Sequence, residues 1–272
     1  DAMAAHGGFD HNDQTLRIVT LRERKYPGWP GLNLTWESLE GIVKHNGPMT
    51  APYSPGLEAL QQEMDIEPQT HSGIEGQIAA LSDDIAYNNH DVQDGLQAGL
   101  FTLDSLREVP LIGGILEHVA GRYPDLDQEL FINEVIREMI GEMVGDVLAE
   151  TRRRLSAYAP QSPQNIREAG QCTVAFSDEM KAKVDGLRHF LKSRMYRHYQ
   201  IIRMNRRVER IVHDLFAAFV KEPAMLPESW QAELPEDVSG QARVICDYIA
   251  GMTDRYAMLE HKRIFDLYQE IM

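Results

Sequence analysis

Only two cysteines occur in the 272 residues, Cys172 and Cys246. They lie far apart, which excludes a disulfide framework and any CxxC-based zinc or redox site. A reducing, cytoplasmic setting is therefore the expectation. No apolar run approaches the ~18 residues that a membrane span requires. There is no GxxxxGK[ST] loop and no GxSxG elbow, which argues against P-loop and α/β-hydrolase chemistry. None of the ten histidines pairs with another at HxxxH or HxH spacing, so any metal site built from this chain needs ligands assembled over long range. Strand-type alternation, internal repeats and low-complexity tracts are also missing. Basic residues are few. Lys and Arg total 27 against 42 Asp and Glu, a formal charge of −15. Such a chain is not a general binder of nucleic acid or anionic membrane unless its cations are concentrated locally.

What is present is helical periodicity. The composition, 43% hydrophobic and 25% charged, supports a sizeable core. Gly7-Gly8 closes a helix end over residues 1–8. Asp10 or Asn12 can cap a helix running to about Lys25, ended by Tyr26-Pro27-Gly28. Thr35 is an N-cap for a helix through Val43, and residues 48–56 form a loop. Helices are expected over about 57–64, over 73–100, and over 109–121 with a break at Gly113-Gly114. Apolar pairs at 131/132, 135/136, 139/140, 143/144 and 147/148 predict a long, strongly buried helix over 125–157. Further helices are expected over 178–195, 197–220, 237–250 and 253–270. The fold class is all-α, read as one intertwined helical domain over 1–272.

Four constellations could carry chemistry. On a helix over 73–100, Ile74, Ile78, Leu81 and Ile85 form a stripe expected to be buried. Asp83, Tyr87 and Asp91 line up opposite at i, i+4 and i+8, continued by Gly76 and Ala80. Aspartate competes for backbone hydrogen bonds and is a poor helix-interior residue. Asp83-Asp84 therefore suggests selection for something besides helix stability, although a polar surface with a local cap fits the spacing too. Phe9 to Arg17 packs Asp, His, Asn and Gln around a helix N-terminus, which suits a phosphate or is simply a polar cap. Lys44-His45 ends a helix, either as a cation pair for an anion or as a favourable dipole partner. The run Lys192, Arg194, Arg197, Arg203, Arg206, Arg207 and Arg210, with Tyr196 and Tyr199 among them, suits polyphosphate, nucleic acid or an acidic subunit. A helix face balanced by nearby acids reads equally well.

Several segments together resemble a known family. Gly7-Gly8-Phe9-Asp10-His11-Asn12-Asp13-Gln14-Thr15-Leu16-Arg17-Ile18-Val19-Thr20 looks like its FExNxQ-type segment. Gly31-Leu32-Asn33-Leu34-Thr35 followed by Val43-Lys44-His45-Asn46-Gly47-Pro48 looks like its next block. Asp83-Asp84-Ile85-Ala86-Tyr87 matches a third, and Met252-Thr253-Asp254-Arg255-Tyr256-Ala257 resembles a C-terminal one. The family is the bacterial dGTPase-like triphosphohydrolases of the HD superfamily, and the resemblance covers essentially the whole chain.

The resemblance implies an HD-domain-like helical bundle, with 1–108 as the remainder of the HD core and 109–272 as a C-terminal helical region. It implies hydrolysis of a deoxynucleoside triphosphate, dGTP or another, to the deoxynucleoside and inorganic triphosphate, with water attacking the α-phosphorus at a metal centre. By resemblance Asp83 is a metal ligand, for Mn, Mg, Fe, Co or Ni. Tyr87 packs against the deoxyribose and Asp91 bonds the 3′-hydroxyl. His11, as a catalytic residue, and Asn12 face the α-phosphate region, and Lys44 and His45 hold the phosphate tail. A homo-oligomer is implied, and single-stranded nucleic acid is a possible partner. One departure matters. The family's first metal His and its His-Asp pair have no counterpart here, since His90-Asp91 is such a pair by letters only. The expectation is that this chain is the C-terminal two-thirds of the fold, that the remaining ligands lie upstream, and that the chain alone is inactive. The alternative is a non-catalytic helical module that binds nucleotide or single-stranded nucleic acid, or senses dNTPs.

Overall fold

Capped helix starts and apolar periodicity give an all-α chain, seen in a computed structural model that describes residues 2–266. The only β pairing among them is an isolated bridge between Tyr26 and Trp29. The helices are α1 (His11–Arg17), α2 (Trp36–Val43), α3 (Pro55–Glu63), α4 (Ile74–Gln97), α5 (Gly113–Arg122) and α6 (Gln128–Tyr158). They continue as α7 (Pro163–Arg167), α8 (Asp178–Leu191), α9 (Tyr199–Lys221), α10 (Glu228–Gln231), α11 (Val238–Ala250) and α12 (Asp254–Phe265). A π-helical turn follows α1 over Ile18–Arg22 and another follows α8 over Lys192–Tyr196. Residues 267–270, expected to continue the last helix, lie outside the described residues. No described helix is long and apolar enough to cross a membrane.

The starts are set by side-chain caps. Asp10 accepts from the Asp13 amide and Thr35 from the Ser38 amide. Asp127, Ser177 and Thr253 do the same for α6, α8 and α12. Each satisfies an amide that the first helical turn leaves unpaired.

Two compact units result, Ile18–His198 and Asp1–Arg17 with Tyr199–Met272. The core of the first gathers Ile85 and Val92 of α4, Ile115 and Val119 of α5, Met139 and Met143 of α6, and Val184 and Leu187 of α8. The core of the second joins Leu215, Phe216 and Phe219 of α9 to Ile245 and Tyr248 of α11. Phe219 meets Tyr248 edge-on at 5.5 Å.

Three expectations are corrected. Gly113-Gly114 opens α5 instead of breaking it. A Cβ on Gly113 would lie 2.3 Å from the Arg107 carbonyl oxygen, so the chain must turn there before the helix begins. On α4, Ile78 is 47% exposed, while Gln77, Ile85 and Asn88 point inward. And α6 is not buried all round: Ile132, Val135, Ile136, Met139 and Met143 are inside, whereas Ile140, Val144 and Leu148 face solvent.

Candidate functional site

The stripe at Asp83, Tyr87 and Asp91 runs along α4, which is anchored by close backbone contact. Gly41 of α2 and Gly76 of α4 face each other, and a Cβ on Gly76 would sit 3.1 Å from the Gly41 Cα. This explains the small residue at that end of the stripe: it admits a second helix, where a side chain would hold the helices apart.

Along the stripe the environment changes. Asp83 is exposed, as is Tyr87 at 60%, whereas Asp91 is buried. The Asp91 carboxylate accepts a hydrogen bond from the Tyr196 hydroxyl, which the π-helical turn after α8 presents. Burial raises the Asp91 carboxyl above the ordinary range, and the Tyr196 bond offsets part of that rise. The Tyr196 hydroxyl is itself pushed up, first by burial and then by the hydrogen bonds it shares with Asp91 and Tyr87. The result is a fixed acceptor at the base of an exposed aromatic ring. Beside it, Asp84 pairs with Arg188 of α8 at 3.1 Å. Sequence spacing could not find Tyr196 as the partner of Asp91, because they are 105 residues apart.

The structure places Lys44 differently from a free cation. Its side chain is fully buried, and the Nζ donates to Glu40 Oε1 at 2.9 Å, to Thr70 Oγ1 at 2.8 Å and to the His71 carbonyl at 3.4 Å. An ammonium has three donors, so none remains for a phosphate. Arg167 completes the cluster with two hydrogen bonds to Glu40, and its guanidinium stacks over the Trp36 ring at 4.7 Å. Burial works to raise the Glu40 carboxyl, but bonds from Arg167 and Lys44 outweigh it and hold Glu40 below its ordinary value. His45 is exposed. Its Nδ1 lies 2.7 Å from the Ile42 carbonyl and its Nε2 lies 2.8 Å from the Asn46 amide nitrogen. Both ring nitrogens are therefore engaged by neighbouring groups of the same helix end.

His11 and Asn12 belong to the other unit. His11 is the exposed first residue of α1 and Asn12 is half-buried beside it. The neighbouring motif residues turn inward. Gln14 donates to Asp247 Oδ1 at 3.0 Å and Arg17 to Asp247 Oδ2 at 2.6 Å, which ties α1 to α11. Of the basic run, Arg206 pairs with Glu209 and Arg210 with Asp214, while Arg203 lies over the Tyr199 ring at 5.2 Å.

A divalent ion needs several donors. Asp83 is one exposed carboxylate, and among the described residues no three His, Cys, Asp or Glu side chains come together as a ligand set. The described donors do not by themselves fit a divalent metal.

Comparison with known proteins bears on this arrangement. Residues 174–263 match the model of the phosphohydrolase-associated domain. The chain is 51% identical over 270 residues to a deoxyguanosinetriphosphate triphosphohydrolase-like protein of Caulobacter sp. (strain K31), covering 97% of this chain and 68% of that protein. Similarly named proteins of Caulobacter vibrioides and Parvibaculum lavamentivorans are 50% and 47% identical, over 68% and 69% of their lengths. With half its residues shared across nearly its whole length, the chain belongs to the dGTPase-like family of the HD superfamily.

Proposed function

We propose that this protein hydrolyses a deoxynucleoside triphosphate, dGTP or another, to the deoxynucleoside and inorganic triphosphate. The observation that carries this reading is the Tyr87, Asp91 and Tyr196 arrangement on a chain of this family. An exposed ring is suited to pack on the face of a deoxyribose, where a 2′-hydroxyl would crowd it. A buried carboxylate, oriented by Tyr196, is suited to accept the 3′-hydroxyl hydrogen. Holding the sugar this way fixes the position of the α-phosphorus, and positioning alone can lower a barrier substantially. Water adds at the α-phosphorus, and the bond to the sugar 5′ oxygen breaks. The deoxynucleoside departs and the triphosphate is left.

In this reading His11 is the catalytic residue at the α-phosphate region and Asn12 supports it. His45 lies toward the phosphate tail. Lys44 acts through Glu40 and Arg167 as a structural cation, because its donors are already taken. Asp83 would hold a divalent ion only together with further donors. The test uses the encoded protein that contains this sequence. Asp83→Ala should abolish triphosphate release. Tyr87→Ala should narrow the preference for dGTP over GTP while leaving the protein folded. Unchanged selectivity in Tyr87→Ala would remove the sugar-reading role.

The exposed first half of α9, with Arg203, Arg206 and Arg207, favours a second reading as a single-strand binding surface. Salt-dependent binding of an oligonucleotide, with no triphosphate released from any dNTP, would select it.

A further inference from the structure

Asn46 and Gly47 lie in the turn that leaves α2, and they are the chain's one Asn-Gly pair. The turn is closed by the Gly47 amide, which donates to the Lys44 carbonyl at 2.8 Å. Gly47 takes a φ of +95°, a conformation that favours glycine, and a Cβ built there would meet nothing within 4 Å. Asn46 is exposed, so water reaches its side chain. The other asparagines lie within helices, where the next amide is held in the hydrogen-bond ladder, apart from Asn33, which is followed by Leu34. What sets Asn46 further apart is the imidazole placed on it. The last carbonyls of a helix lack amide partners within it. That of Ile42 has His45 Nδ1 at 2.7 Å. This holds the ring so that its Nε2 lies 2.8 Å from the Asn46 side-chain nitrogen.

We infer that Asn46 is a modification site, at which the chain, assisted by His45, converts its own asparagine to aspartate and isoaspartate. Asparagine is a thermally labile residue. In the first step the Gly47 amide nitrogen attacks Asn46 Cγ and gives up its hydrogen. A bond from Gly47 N to Cγ forms, the bond from Cγ to Nδ2 breaks, and ammonia leaves. A succinimide ring remains. Glycine favours this closure, because a side chain on the attacking residue would crowd it. His45, protonated at Nε2, supplies the proton that the departing nitrogen needs, and the proton lost from Gly47 returns the imidazole to its starting state through solvent. In the second step water opens the ring. Attack at the side-chain carbonyl gives aspartate. Attack at the main-chain carbonyl gives isoaspartate, with the main chain running through Cγ. Either product puts a carboxylate in place of a neutral amide, just past a helix C-terminus where negative charge is unfavourable. Neither step requires a substrate or a metal.

The test is peptide mapping by mass spectrometry of the full chain, incubated for days at physiological temperature and neutral pH. The peptide holding Asn46 should gain one mass unit, as a mixture of aspartate and isoaspartate, and ion exchange should resolve a more acidic species. Peptides holding Asn33, Asn133 and Asn205 should stay unchanged. His45→Ala should slow the conversion by about tenfold or more, with circular dichroism showing that the fold is kept, and imidazole added to the buffer should restore part of the rate. Asn46→Gln should abolish the acidic species. An Asn46 that keeps its amide would overturn the inference. So would conversion of another asparagine at an equal rate, or a rate at Asn46 that His45→Ala leaves unchanged.

Discussion

The buried Lys44 is held in place by its neighbours. Glu40 accepts from both Lys44 and Arg167, and Thr70 and the His71 carbonyl take the remaining ammonium hydrogens. Without Lys44, Glu40 keeps Arg167, but Thr70 and the His71 carbonyl lose a buried donor. Lys44→Met should lower unfolding stability by about 1–3 kcal/mol, measured by urea denaturation at neutral pH. A direct phosphate contact would instead leave stability nearly unchanged and weaken triphosphate binding. Glu150 provides a test by pH. Hydrogen bonds from Arg153 and Arg154 hold its carboxyl down to about 2, from an ordinary 4.5. The unfolded state therefore binds more protons between those values, and stability rises with pH across them. The contribution is complete above 4.5 and is lost as the pH falls toward 2. Glu150→Gln should flatten that acid limb in urea midpoints measured from pH 5 to pH 2.

Among the elements, α4 and α6 show what was legible in the sequence and what was not. The existence of both helices, and the caps at Asp10 and Thr35, followed from apolar spacing and residue chemistry that act within a few residues. The alignment of Asp83, Tyr87 and Asp91 was legible for the same reason. The partners were not. Tyr196 beneath Asp91, Asp247 behind Gln14 and Arg17, and Arg167 on Glu40 are long-range pairs that no local period encodes. The outward side of α6 was missed because pairs of apolar residues every four positions read as a single buried helix. Gly95 illustrates the same limit. A Cβ there would come within 2.2 Å of the Phe101 ring, which is held edge-on to Phe190 at 5.1 Å. Alanine would gain about 1 kcal/mol of helix propensity, but overpacking costs about 1–3 kcal/mol and sometimes more. At so close an approach the clash should win. Gly95→Ala should lower the melting temperature, and adding Phe101→Leu should recover most of the loss.

At the scale of the whole molecule, we propose from family membership and local geometry together that the outer face of α4 reads the sugar of a deoxynucleoside triphosphate. Net charge alone would have argued against any polyphosphate ligand. The account relies instead on where a few residues stand, with Asp83 and Tyr87 exposed and Asp91 buried and oriented. The most direct measurement is inorganic triphosphate released by the encoded protein with manganese, from dGTP and from GTP, before and after Asp83→Ala. The account predicts triphosphate as the phosphate product from dGTP, release from GTP lower by about 100-fold, and no release from either after Asp83→Ala. Triphosphate released equally from dGTP and GTP, or undiminished by Asp83→Ala, would contradict it.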